Sequence, residues 1–121
     1  MFKIVFYKDA RGKEPVKEAI LEWTGEDGKS ARIRTQKIAD SLKVLELSGT
    51  LVGEPWVKHL SGAIWELRPL KFRILFFASS DGEFVLLHSF VKKSSKTPRQ
   101  EIVRAENNMK RFLERNNHEN E

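Results

Sequence analysis

The dipeptide Asp81-Gly82 sits between two apolar runs, residues 71–78 and 83–92. Asp-Gly favours a two-residue hairpin turn, whose central positions need positive φ. Such a turn sets the pairing. Ser80 falls opposite Glu83, Leu75 opposite His88, Arg73 opposite Phe90 and Lys71 opposite Lys92. Reading Pro69-Leu70 as the preceding tight turn puts Arg68 opposite Lys71, Glu66 opposite Arg73 and Ile64 opposite Leu75. Opposed residues share a face, and neighbours along a strand alternate.

One face then carries Trp65, Leu67, Phe72, Ile74, Phe76, Ala78, Val85, Leu87 and Val91. It is apolar and is expected to lie under the helices. The other carries Glu66, Arg68, Lys71, Arg73, His88 and Lys92, with Leu75, Phe77, Leu86 and Phe90 beside them. A slip of one residue would drive these charges into the core, which constrains the register.

The remaining elements follow from periodicity. Residues 2–7 read as a first strand, and Val16, Ile20, Leu21 and Trp23 as a helix over 15–23 opened by Pro15. Ile33, Ile38, Leu42, Leu45 and Leu47 supply the buried side of a second helix over 30–47, stopped by Ser48-Gly49. Residues 56–60 and 63–68 read as strands around the turn Ser61-Gly62. Thr97 and Gln100 have capping-box spacing, with Pro98 as first helical residue. Ile102, Ala105, Met109, Phe112 and Leu113 make the apolar stripe of the last helix. The order β-α-α-β-β-β-β-α implies an α+β domain with a mostly antiparallel sheet of four or five strands and helices on one face. One domain spans 1–115, and 116–121 reads as a frayed polar tail.

Composition narrows the chemistry. Cysteine is absent, so neither a disulfide nor a thiolate is available, and three scattered histidines make a structural zinc site a poor fit. No metal or cofactor is expected. No apolar run approaches the roughly 20 residues a membrane span needs, so a cytoplasmic protein without membrane contact is expected. The formal charge of +5 favours a polyanionic or acidic partner.

Charge placement is more specific than charge count. Lys71 and Lys92 face each other across strands, an arrangement that destabilises a sheet without a counter-anion. Lys93, Lys96 and Arg99 follow in the adjoining loop. The cluster reads as a phosphate site, against the alternative of an ordinary solvated face. His88 divides the same way, between an acid–base group and a satisfied histidine among Leu75, Phe77, Leu86 and Phe90.

The segments Leu60-Ser61-Gly62, Ile64-Trp65-Glu66-Leu67-Arg68 and Phe72-Arg73-Ile74-Leu75 stand out. So does the run from His88 through Phe90-Val91-Lys92-Lys93 to Lys96-Thr97-Pro98, followed by Glu101. In these the chain resembles the RelE/HigB-type toxins of bacterial toxin–antitoxin pairs, in particular the phage-derived Gp49-like HigB branch. The resemblance implies the RelE/ParE-like fold and a ribosome-dependent mRNA endoribonuclease. It also implies a cognate helix-turn-helix antitoxin of HigA-like type, with operator DNA bound only through the toxin–antitoxin complex. It places catalytic groups at Arg68, Arg73, Lys92 and Lys93. Glu54 matches a glutamate that serves as base in one branch, and Glu66 is its rival from the register.

RNA brings its own nucleophile, the 2′-hydroxyl. Cleavage then needs in-line geometry, charge neutralisation at phosphorus and a proton for the leaving oxygen. Arg68 and Arg73 are assigned to the phosphate, since guanidinium donates paired hydrogen bonds. Lys92 or Lys93 is assigned to the leaving oxygen. His88 is an acid or base candidate. Lys58, Lys71 and Lys96 are expected to contact RNA phosphates. The competing readings are a ParE-like gyrase inhibitor without nuclease activity and an inactive nucleic-acid-binding relative.

Overall fold

The structure, a computed structural model, describes residues 1–79 and 82–119. In chain order the elements are β1 (Lys3–Phe6), α1 (Pro15–Thr24), α2 (Lys29–Ser48), a 3₁₀ turn (Gly49–Val52), β2 (Val57–Ser61), β3 (Ile64–Leu67), β4 (Phe72–Ala78), β5 (Glu83–Val91) and α3 (Arg99–Glu119). This is the predicted α+β order. The sheet runs β1-β5-β4-β3-β2, antiparallel except where β1 pairs parallel with β5. Residues 116–119, predicted to fray, continue α3, and 120–121 lie outside the described residues.

Helices cover both faces of the sheet, not one. α1 and α2 bury Val16 and Leu45 against Leu67, Ile74, Phe76, Phe84 and Leu86. On the opposite face α3 lays Ala105, Met109 and Phe112 over Ile64, Leu75, Phe77, Val85 and Leu87. A face of mixed residues was thus read as open when α3 claims its apolar half. On α2 the buried line is Ala31, Ile38 and Leu45, whereas Ile33 and Leu47 of the predicted stripe are exposed.

The register explains which face assignments hold. Near the charged end Leu75 pairs with His88 and Arg73 with Phe90, as read from the sequence. Near the hairpin tip the pairing is offset by one. Ala78 pairs with Phe84, and the Ser79 amide bonds to the Glu83 carbonyl at 2.8 Å. Ser80 and Asp81, on which the predicted two-residue turn and its pairing partly fall, lie outside the described residues. A bulge at Leu87 absorbs the offset, since Phe76 pairs with Leu86 while Leu75 pairs with His88. One extra residue reverses the alternation beyond it. Val85 and Leu87 thus join the α3 face and Leu86 the α1–α2 face, inverting their predicted sides. Asn108 of α3 donates to the Leu87 carbonyl at 2.9 Å, satisfying a group at the disrupted ladder.

The β3–β4 turn is also longer than predicted. Glu66 pairs with Leu75 and Leu67 with Ile74, two residues from the expected partners. A shift of two leaves every side chain on its face, so this error costs the face assignment nothing.

Candidate nucleic-acid interface

The register of β3 on β4 brings three charged residues, Glu66, Arg68 and Arg73, together at one end of the sheet. Glu66 is 2% exposed, deep under the end of the sheet. Its Oε1 lies 3.4 Å from Arg68 Nε and 3.7 Å from Arg73 Nε, and its Oε2 accepts the Thr97 hydroxyl. Arg68 extends outward to Glu54, Nη1 to Oε1 3.3 Å. Arg73 turns Nη1 back onto the Leu70 and Phe72 carbonyls, both at 2.8 Å. Burial lowers the Arg73 pKa from the ordinary guanidinium range; Glu66 opposes that shift and Arg68 adds to it.

Thr97 was expected to cap α3 as part of a capping box. Its hydroxyl is instead donated to Glu66, and the first turn of α3 closes through the Glu101 amide on the Pro98 carbonyl at 3.1 Å.

Beside this network opens a cavity of about 410 Å³. Arg73 and Phe90 form its sheet wall, Lys92, Lys93 and Lys96 its basic rim, and Pro98 and Glu101 its α3 side. The three lysines are exposed. The Lys92 amide bonds to the Lys71 carbonyl at 2.7 Å, so these two lysines adjoin across strands as the sequence implied. Lys71, Lys92 and Lys93 also border a broader groove of about 870 Å³ with Ile33, Leu70 and Phe72. Arg68, Lys58 and Lys96 line a smaller hollow of about 160 Å³ on the other side of Glu66 and Thr97.

Of the residues singled out from sequence, Arg73, Lys92, Lys93 and Lys96 therefore share one cavity. Arg68 and Lys58 belong to the hollow next door. Lys71 lies in the broader groove. His88 lines none of the three. It faces α3, with Nε2 3.1 Å from Glu101 Oε1 and its ring against Phe90. Its pairing with Leu75, on the face that α3 covers, aims it there. Glu66 was a candidate base; with both arginines and Thr97 on it, its carboxylate is committed to the interior. Glu101 is the residue that sequence reasoning passed over. The available signal was an acid in the first helical turn right after a lysine-rich loop.

Among the described residues, no three His, Asp or Glu side chains gather as a metal-ligand set. No helix among them is long and apolar enough to cross a membrane.

The described residues thus form a five-stranded α+β sheet with a basic cleft at one end. The family model described as phage-derived protein Gp49-like, within the RelE/HigB toxin-like group, matches residues 29–110, and the chain belongs to this family. Membership suggests a RelE-like toxin of a toxin–antitoxin system, a class commonly endoribonucleolytic, and implies a toxin–antitoxin partner. No curated protein matches the chain.

Proposed function

We propose that this chain is the toxin of a toxin–antitoxin pair and acts as a ribosome-dependent, metal-independent mRNA endoribonuclease. The observation that carries the reading is the cavity walled by Arg73 and rimmed by Lys92, Lys93 and Lys96. A phosphodiester seated there meets preformed cations from two directions. Each well-placed donor aimed at developing charge can lower a barrier by about 3–4 kcal/mol. Arg73 is held rigid by its carbonyl bonds and Glu66, so it would need no reorganisation as charge grows on phosphorus. Arg68, beside Glu66 and lining the hollow with Lys58, would take a neighbouring phosphate. Lys92 or Lys93 protonates the leaving 5′-oxygen.

The site's lysines are exposed side chains on the loop between β5 and α3. Holding the RNA in line is therefore a task for the ribosome, and fixed orientation alone can supply about 7–11 kcal/mol. Neutralisation would fall to a cognate helix-turn-helix antitoxin of HigA-like type, through which operator DNA is contacted. A cytoplasmic setting follows from a ribosomal target.

The test is to express the chain and map 5′ ends across cellular mRNA. New ends within translated codons are expected, and they should vanish with a 2′-deoxy residue at the scissile position in a reconstituted assay. Growth arrest without new ends would instead favour a gyrase-directed toxin of the ParE type.

A further inference from the structure

We infer that Glu101 is the general base of this site, with His88 as the residue that positions it; this rests on the ribonuclease reading above. Among the described residues it is the carboxylate that lines the basic cavity. The other acids near the cluster are otherwise engaged. Glu66 is enclosed by Arg68, Arg73 and Thr97, and Glu54 reaches Arg68 from a largely exposed position outside the cavity.

Glu101 is 8% exposed, so its carboxylate is shielded but reachable from the cavity. His88 Nε2 at 3.1 Å and Arg104 Nη1 at 3.3 Å both contact Oε1. That leaves Oε2 as the oxygen a substrate hydroxyl would meet. His88 is itself held by stacking on Phe90, whose ring forms the adjacent cavity wall. A carboxylate clamped on one oxygen, beside a phosphate site and opposite lysines, has the geometry for proton abstraction.

The step balances as follows. Glu101 takes the proton of the 2′-hydroxyl, and the O2′–P bond forms as the P–O5′ bond breaks. A lysine ammonium on the rim, Lys92 or Lys93, gives its proton to the departing O5′. The products are a 2′,3′-cyclic phosphate and a 5′-hydroxyl.

The experiment compares wild type and Glu101→Gln on ribosome-bound mRNA at the mapped cleavage site. One substrate is all-oxygen RNA and the other carries sulfur in place of the bridging 5′-oxygen. Glutamine keeps an oxygen for His88 but cannot take a proton. The cleavage rate should fall by about 10²–10⁴-fold with RNA affinity within about threefold. The loss should persist on the sulfur substrate, whose leaving group needs no acid. A wild-type rate overturns the inference, and a loss that the sulfur substrate repairs overturns it too, by making Glu101 the acid. Should Glu101→Gln melt below the assay temperature, Glu101→Ala, which also lacks a carboxylate, replaces it; a wild-type rate there also overturns the assignment. Absence of cleavage by the wild type itself would defeat the ribonuclease reading instead.

Discussion

Thr97 gives its hydroxyl to Glu66 across 31 residues of sequence, tying the lysine-bearing loop before α3 to the end of the sheet. The same carboxylate sits against Arg68 and Arg73. One buried acid thus connects the β3–β4 turn, β4 and the β5–α3 loop, and each contributes a wall of the basic clefts.

Glu66→Ala should destabilise the domain by about 3–5 kcal/mol, because it strands a buried guanidinium. Urea unfolding measures this. Pairing it with Arg73→Met should recover part of the loss, as expected when the unpaired charge is the main term. An unchanged midpoint for the single variant would show that the network holds nothing together.

Arg73→Ala should abolish cleavage and also lower stability by about 1–3 kcal/mol, since two backbone carbonyls lose a donor. Calorimetry alongside 5′-end mapping separates the two effects. A melting temperature equal to wild type would show that the Leu70 and Phe72 carbonyls find other donors.

Lys92, Lys93 and Lys96 are exposed, so alanine at each should leave stability within about 0.5 kcal/mol. Each should weaken RNA binding uniformly across sequences and make the salt dependence shallower by about one ion. Titrations over a range of KCl concentrations give the slope. Salt-independent loss would argue against phosphate contact.

Phe76 is fully buried and meets Phe84 edge-on at 5.4 Å, whereas Trp65 is only half-buried. Phe76→Ala should cost about 3–5 kcal/mol, and Trp65→Ala less. The reverse order in chemical denaturation would mean that the α1–α2 core is centred elsewhere.

Gly49 takes φ of 61° after α2, and a Cβ there would come within 2.8 Å of the Phe2 ring. Gly49→Ala should therefore destabilise by about 1–3 kcal/mol from backbone strain alone. A rise in melting temperature would show that Phe2 and the chain yield freely.

Periodicity and turn chemistry sufficed for the element order and the helix starting at Pro15. They also sufficed to bring Arg73, Lys92, Lys93 and Lys96 to one end of the sheet. These features depend on neighbours a few residues apart, whose preferences the sequence states directly. Only the folded chain decided the bulge at Leu87, which cancels the offset near the hairpin tip and so restores the pairing of Arg73 with Phe90, and the docking of α3 on the second face. It also decided the roles of Glu66, Thr97 and Glu101. Each depends on what a side chain meets from a distant segment. A buried carboxylate must find its cations wherever packing puts them, and a threonine placed to cap a helix donates its hydrogen bond to that carboxylate when the two are brought together.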